Sequence, residues 1–141
     1  MPTAATFQER QQEIVDEFGL FEDWMGRYEH IIELGRTLPP LDDAQRTEGN
    51  LVRGCQSRVW LHGDVQNGVL HFEADSEALI TKGLVALMLR VFNDLPPEVV
   101  AEAPLFFIEQ IGLKEHLSPT RSNGLVSMVR RIRAYGRELI A

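Results

Sequence analysis

Residues 57–74, which read SRVWLHGDVQNGVLHFEA, decide the fold class of this chain. Apolar residues recur at every second position over 57–62 and again over 69–74, and this period is typical of β-strands with one buried face. The polar stretch between them ends in Asn67-Gly68, a pair that adopts positive φ angles at little cost. The sequence therefore predicts an antiparallel β-hairpin here.

Helical spacing precedes the hairpin. Apolar residues over 7–18 and over 24–35 recur at intervals of three and four, with Gln11 as the polar exception on the first face. The Pro-Pro pair in the segment 38–50 ends the second helix, and the rest of that segment is polar and rich in turn-forming residues. Two helices followed by a loop are therefore expected before the strands.

A further helix is expected directly after the hairpin. Ser76 is placed to cap it, and it runs to about Asn93 with apolar residues on most sides. This pattern indicates a buried, central helix. Two short helices are expected within residues 96–112.

The last helix is expected to start near residues 122–123, after an interruption at Pro119. Its arginines are expected mostly on the outside. Its inner face is predicted to carry Leu125, Val129, Ile132 and Leu139.

These elements together define the fold class. Two strands alone are marginally stable, so we expect a third short strand near residues 51–53, or packing of the hairpin on helices. The fold class is α+β, a small antiparallel β-sheet packed against several α-helices.

Composition excludes several classes of protein. The chain has 141 residues, a net charge of −7 and a pI near 5.1. The length predicts a single domain over residues 1–141, and the acidic charge argues against a nucleic-acid partner. The N-terminus lacks the pattern of a signal peptide, and Lys82 and Arg90 interrupt the longest apolar stretch. We therefore expect a cytoplasmic protein without a membrane partner.

The charge is unevenly distributed along the chain. Residues 1–50 hold 4 basic and 11 acidic residues, whereas residues 114–141 hold 6 basic and 2 acidic ones. Either the two regions attract each other within the fold, or one of them docks a charged partner.

Cys55 is the only cysteine, so the chain can form neither an internal disulfide nor a multi-cysteine metal or iron–sulfur site. It lies where the polar loop meets the first strand, after Gly54, which lets the backbone bend or approach another surface closely. Arg53 and Arg58 are expected to favour the thiolate, the reactive form. Cys55 is therefore the candidate nucleophile, and an inert buried thiol is the alternative.

A hydrolase built on Cys55 would need a histidine base. If Cys55 and Ser57 share one face of the strand, His62 points to the other face. His71 lies on the paired strand and approaches only if the register allows it. A zinc site from His62, His71 and Cys55 lacks a standard ligand spacing, so no metal is expected. A stand-alone cysteine hydrolase is kept as the alternative function.

Arg121 lies near the expected start of the last helix, where the helix dipole disfavours a cation. This placement suggests that its side chain reaches towards an anion on another element, either a carboxylate or a sulfur anion. The alternative is an ordinary surface ion pair.

Four stretches of the chain resemble the SufE family of cysteine desulfuration proteins. They read YxxIIELG (28–35, followed by Leu-Pro at 38–39), NxVxGCQSxVWL (50–61), ADSExxIxKGL (74–84) and HLSPxRSxGL (116–125). The motifs occur in family order, and the resemblance covers about residues 8–136.

The resemblance implies a sulfur carrier for iron–sulfur cluster assembly. Cys55 would take sulfur as a persulfide from a PLP-dependent cysteine desulfurase of the SufS or CsdA type, stimulate its turnover and pass the sulfur to a cluster scaffold. Gly54, Gln56 and Ser57 would shape the loop. Arg121 would position that loop or contact the partner. No cofactor is expected on this chain, because PLP belongs to the desulfurase, so the chain is a sulfur-transfer partner rather than a self-sufficient enzyme.

The resemblance also implies a conformational change. The family fold is similar to that of IscU-type scaffolds, and the related CsdE proteins share the fold and the cysteine. Gln56 and the segment SPTRS (118–122) favour the SufE branch. Because a persulfide must be shielded and yet reach a partner, we expect Cys55 to rest turned inward and to swing out on docking, with Gly54 as a hinge.

Overall fold

The computed structural model describes residues 2–140. Its helices and strands are α1 (Ala4–Phe18), α2 (Trp24–Arg36), β1 (Val59–Gln66), β2 (Val69–Ser76), α3 (Leu79–Phe92), α4 (Pro97–Glu102), α5 (Phe107–Gln110), α6 (Leu113–His116) and α7 (Pro119–Glu138). The α+β class is therefore confirmed. The single domain stays a prediction, and its limits, Met1 and Ala141, lie outside the described residues.

The two strands form the predicted hairpin. They pair antiparallel along their whole length. Only Asn67 and Gly68 lie between them, with φ angles of 54° and 81°, the positive pair that a two-residue type I′ turn requires. The first strand runs over 59–66 rather than the predicted 57–62, because the turn needs only two residues and the pairing continues up to it.

The third strand predicted near residues 51–53 is reduced to a single bridge. Leu51 pairs with Trp60, and the N–H of Val52 donates to the carbonyl oxygen of Val59 over 2.8 Å. After Val52 the chain leaves the sheet, so these two contacts close the loop of residues 53–58 that leads into β1. Among the described residues the sheet has two strands.

α3 is the buried central helix that the sequence predicts. Gly83 allows it to approach α2 closely, since a Cβ there would lie 2.0 Å from the carbonyl oxygen of Ile31. The buried residues of α3 are Thr81, Gly83, Leu84, Val85, Leu87, Met88, Leu89, Val91 and Phe92. Neither α3 nor another helix within residues 2–140 is both long and apolar enough to cross a membrane.

The prediction that Ser76 caps this helix is wrong. α3 begins at Leu79, with Ala78 in the N-cap position, and Ser76 is instead the last residue of β2. Its hydroxyl donates to the carbonyl oxygen of Arg58 over 2.9 Å. Ser76 therefore ties the end of β2 to the loop before β1.

Gln11, the polar exception on α1, is fully buried. Its amide nitrogen donates to the carbonyl oxygen of Pro104 over 3.0 Å. Its amide oxygen accepts from the N–H groups of Phe106 and Phe107 at 2.7 and 3.2 Å. These bonds satisfy the buried amide and fix the start of α5 against α1.

α7 begins earlier than the predicted residues 122–123. Pro119 occupies its first turn, where the missing N–H costs nothing. The hydroxyl of Ser118 caps the helix by accepting from the N–H of Arg121 over 3.3 Å. Pro119 therefore starts the helix, and the prediction that it interrupts the chain before the helix is wrong.

The inner face of α7 is predicted correctly in its middle but not at its end. Leu125 and Ile132 are buried, whereas Leu139 is 36% exposed and follows the last helical residue. Arg133, expected outside, is half-buried and donates to the carbonyl oxygen of Ala103 over 2.9 Å.

Candidate functional site

Cys55 lies on residues 53–58, here called the cysteine loop. The N–H of Val52 donates to the carbonyl oxygen of Val59, the first residue of β1, over 2.8 Å, and this bond closes the loop. At its end, the carbonyl oxygen of Arg58 accepts from the hydroxyl of Ser76 at 2.9 Å and from the N–H of Glu77 at 3.3 Å. The loop is therefore fixed at both ends.

Gly54 allows the cysteine loop to lie directly on α7. Its φ angle is +92°, a conformation that residues with a side chain rarely adopt. A Cβ on Gly54 would also lie 2.4 Å from the hydroxyl oxygen of Ser127. Both the backbone conformation and the packing therefore require glycine here.

The side chain of Cys55 is half-buried and turned towards α7. Its sulfur lies 3.6 Å from the carbonyl oxygen of Gly124, in position to act as a weak S–H donor. A Cβ on Gly124 would lie 3.5 Å from the same sulfur, so this glycine leaves the space beside the sulfur open. The inward orientation agrees with expectation, and the outward swing stays a prediction.

A cavity of about 220 Å³ opens beside this sulfur. None of its lining residues carries a carboxylate, whereas hydroxyls, an amide and a guanidinium are present. Such a lining suits a small polar or anionic group. The lining residues are Cys55, Gln56, Ser57, Thr81, Leu84, Ser118, Thr120, Arg121, Gly124 and Met128.

The structure brings most of the predicted site residues together. Cys55, Gln56, Ser57 and Arg121 line the same cavity. Gly54 is not in this lining and instead packs on α7. Arg121 lies in the first turn of α7, so its position at a helix start is as predicted. Its side chain is exposed.

The environment of Cys55 disfavours its thiolate. Burial raises the pKa of the thiol, because the charged form loses solvation. Arg53 is exposed, and Arg58 pairs with Glu77 and lies 5.4 Å over the ring of Trp60. The expectation that these arginines favour the thiolate is therefore wrong for this conformation, and the resting thiol is protonated at neutral pH.

Within residues 2–140, no histidine lines the cavity. β1 begins after the cysteine loop, so the argument that places Ser57 and His62 on opposite strand faces does not apply. The Nδ1 atom of His71 lies 2.8 Å from a carboxylate oxygen of Asp94 instead. The cavity therefore offers no imidazole base to a cysteine hydrolase, and the described residues hold no cluster of three metal-ligating side chains.

A larger cavity of about 780 Å³ lies elsewhere, between β2, α3 and the segment after α2. Two of its arginines are already bound: Arg90 pairs with Glu17 at 3.0 Å, and Arg10 donates to the carbonyl oxygen of Asn93 at 2.6 Å. Its lining contains no cysteine. The smaller cavity beside Cys55 is therefore the candidate site.

Sequence reasoning did not find three of the hydroxyls in this cavity, those of Thr81, Ser118 and Thr120. Thr81 is only 8% exposed, although α3 is otherwise largely apolar. A threonine on the buried face of an otherwise apolar helix is a signal in the sequence that this face meets a polar environment. Ser118 and Thr120 belong to the quoted segment SPTRS (118–122), but their place in the cavity was not predicted, because the start of α7 was misplaced.

Comparison with known proteins identifies the family. A family model described as SufE, an Fe-S metabolism associated domain, matches residues 12–136. The chain belongs to the SufE family. An uncharacterized SufE-like protein of Rhizobium etli is 46% identical over 132 residues, covering 90% of this chain and 89% of that protein. A second such protein, from Rhizobium meliloti, is 42% identical over 127 residues, covering 86% and 91%.

A solved structure shares the fold of this SufE-family chain. The solution structure of a hypothetical protein from Thermus thermophilus matches it with a TM-score of 0.75, covering 92% of this chain and 94% of that one. The two sequences are 24% identical, so the likeness shows a common fold alone. Membership of the SufE family associates the chain with iron–sulfur metabolism.

Proposed function

We propose that Cys55 accepts sulfur from the persulfide of a PLP-dependent cysteine desulfurase, stimulates that enzyme and passes the sulfur to an iron–sulfur cluster scaffold. The observation that carries the proposal is the placement of a single thiol on a loop fixed at both ends, with an open cavity beside its sulfur. Cytoplasmic location belongs to the same proposal.

The transfer is a thiol–disulfide type of exchange between two sulfur atoms. The Cys55 sulfur attacks the outer sulfur of the donor persulfide, the donor S–S bond breaks, and a new S–S bond forms on Cys55. The proton of the resting Cys55 thiol goes to the departing donor sulfur. The exchange needs no external oxidant or reductant. Since Cys55 is the only cysteine, no second thiol of this chain can discharge the product as an internal disulfide.

Attack on a donor requires the sulfur to leave its inward position. The contact of Sγ with the carbonyl of Gly124 is weak at 3.6 Å, whereas the two ends of the cysteine loop are held by backbone bonds. We infer that the middle of the loop turns outward about Gly54 while its ends stay fixed. Exposure of the thiol then lowers its pKa towards the ordinary value, so the reactive thiolate fraction is larger when a donor is docked than in the resting loop.

Two cations near the cysteine indicate which surface meets the donor. Arg53 and Arg121 are exposed, and within residues 2–140 neither forms an ion pair. The chain as a whole carries a charge of −7, so an acidic donor surface is repelled elsewhere and attracted here. We therefore propose that an acidic surface around the donor cysteine docks on this face.

The test is the turnover of a cysteine desulfurase from the same organism, measured with and without this chain. The proposal expects stimulation by the wild-type chain and none by Cys55→Ser, while both bind the desulfurase with similar affinity. Equal stimulation by the serine variant would remove the thiol from the mechanism.

A further inference from the structure

The outer edge of β2, the edge that faces away from β1, has one open position. The N–H of Leu70 donates to the carbonyl oxygen of Leu95 over 2.8 Å, and the N–H of Phe72 donates to the side-chain oxygen of Asn93 over 2.7 Å. Both N–H groups therefore point away from β1. Backbone groups of residues two apart in a strand point to the same edge, so the N–H and carbonyl of Ala74 also point outward.

Pairing along this edge stops before Ala74. The side chain of Asn93 also donates to the carbonyl oxygen of Phe72 over 3.3 Å, so it takes the place of a neighbouring strand at that residue. Among residues 2–140, no backbone group outside the hairpin bonds to the N–H or carbonyl of Ala74. Ala74 is only 2% exposed, and buried backbone groups in proteins are normally paired. This position therefore suits a ligand that carries both a donor and an acceptor.

The larger cavity, of about 780 Å³, lies at this open position, and Ala74 is part of its lining. Its volume is many times the roughly 30 Å³ that one water molecule occupies in the liquid. Leu38 and Pro39, which follow α2, and Ala86 and Leu89 of α3 contribute apolar surface to the lining. The cavity can therefore hold several residues of an extended chain beside the edge of β2.

The free charges of this cavity are negative. Asp42 and Glu73 line it and are exposed, and within residues 2–140 neither forms an ion pair. Its two arginines are engaged, Arg90 with the carboxylate of Glu17 and Arg10 with backbone carbonyl oxygens. Complementary charge favours a ligand that carries lysine or arginine.

We propose that the larger cavity binds an extended, basic peptide segment of a partner protein, which pairs with the edge of β2 at Ala74. The carbonyl oxygen of one peptide residue accepts from the N–H of Ala74, and a peptide N–H donates to the carbonyl of Ala74, as in strand addition to a sheet edge. Apolar side chains of the peptide contact the cavity walls, and a lysine or arginine meets Asp42 or Glu73. Cys55 does not line this cavity, so the site goes beyond the proposed function.

The test starts from a random heptapeptide library displayed on phage and selected on the full wild-type chain. The most enriched peptide is synthesised with a fluorescent label, and its affinity is measured by fluorescence anisotropy for wild type, Glu73→Lys and Glu109→Lys. Glu109 is an exposed carboxylate of α5 outside this cavity, so its reversal is the matched control for net charge. A second series of peptides carries one N-methyl group at each amide in turn.

The inference predicts enriched peptides that combine lysine or arginine with apolar residues of high strand propensity. Glu73→Lys is expected to weaken binding about tenfold, since it replaces an attraction by a repulsion, whereas Glu109→Lys stays close to wild type. Methylation of one particular amide is expected to weaken binding by a similar factor, because it removes the hydrogen bond to the carbonyl of Ala74.

A selection without enrichment would overturn the inference, and so would an enriched peptide that binds wild type and Glu73→Lys equally, because it would lie elsewhere on the chain. If Glu73→Lys does not fold, Ala86→Phe is used instead. It fills the cavity from a partly exposed position of α3, and unchanged peptide affinity in that variant would overturn the inference as well. Sulfur transfer to Cys55 is not measured here, so either result leaves the proposed function standing.

Discussion

The sulfur of Cys55 lies 3.6 Å from the carbonyl oxygen of Gly124, and no side chain of that glycine fills the space between the cysteine loop and α7. The contact holds the thiol inward in its protonated form. The absence of a Cβ keeps the cavity beside the sulfur open. Under the proposed function, space for a transferred sulfur atom and stability of the helix therefore place opposite demands on this position.

Gly124→Ala tests whether this position exchanges helix stability for space beside the Cys55 sulfur. A Cβ would lie 3.5 Å from the sulfur, an ordinary contact distance, and alanine stabilises a helix interior by about 0.5–1 kcal/mol relative to glycine. We expect an unfolding free energy in urea equal to or above that of wild type, but about tenfold slower uptake of sulfur, because the methyl group occupies space beside the thiol. Unchanged uptake would show that the outer sulfur lies elsewhere.

Gly54→Ala is expected to destabilise the fold for two separable reasons. A non-glycine residue at this φ of +92° costs about 1–3 kcal/mol, and its Cβ would lie 2.4 Å from the hydroxyl oxygen of Ser127. Gly68→Ala is the matched control, since its φ is +81° but nothing lies within 4 Å.

Urea unfolding measures the difference between these two glycine variants. We expect Gly54→Ala to lose more stability than Gly68→Ala, and Ser127→Ala to recover part of the loss when combined with Gly54→Ala. Equal losses for the two alanine variants would mean that the cysteine loop does not pack on α7 as the structure has it.

Local signals in the sequence were sufficient for the hairpin and the buried α3. Alternating apolar residues, an Asn-Gly pair and helical spacing each depend on neighbours in the chain. The position of α7 was misjudged because Pro119 is compatible with both a break and a first helical turn. Leu139 follows the apolar spacing but lies beyond the helix end, where nothing covers it fully.

The candidate site was predictable only in part. Cys55 stands out as a lone thiol after glycine, and its motif identified the family. The raised pKa of its thiol was not predictable, because it depends on the burial of the side chain in the fold rather than on the arginines next to it in the chain. Thr81 reaches the same cavity from another helix, a contact that no local spacing encodes.

Charge reversal at Arg53 and Arg121 is expected to weaken binding to the desulfurase. Both side chains are exposed, Arg53 on the cysteine loop and Arg121 in the lining of its cavity. Electrostatic attraction across an interface acts mainly on association and falls with salt. We expect the double Glu variant to bind at least tenfold more weakly at low salt. Titration calorimetry at two salt concentrations measures this change.

Arg137→Glu is the matched control for that experiment. It reverses another exposed arginine on α7, 16 residues further along the chain than Arg121, which corresponds to roughly 24 Å at the helical rise per residue. Its affinity should stay close to wild type. Equal weakening by the single variants Arg53→Glu, Arg121→Glu and Arg137→Glu would point to net charge rather than to this face.

The pH dependence of Cys55 alkylation follows from its burial. Because burial raises the pKa of the folded thiol, we expect iodoacetamide to react with a midpoint at higher pH than in the same chain unfolded in urea. The stability that this group contributes is fully present below the ordinary thiol pKa and is lost as pH rises through the raised one. A folded midpoint at or below the unfolded one would contradict the buried resting state.

The most direct test of the account is the mass of Cys55 after incubation with a desulfurase and cysteine. The account predicts that a peptide containing Cys55 gains the mass of one or more whole sulfur atoms, that a thiol reductant removes the gain, and that Cys55→Ser shows none. A wild-type chain that binds the desulfurase tightly and stimulates it, yet gains no sulfur on Cys55, would contradict the central claim.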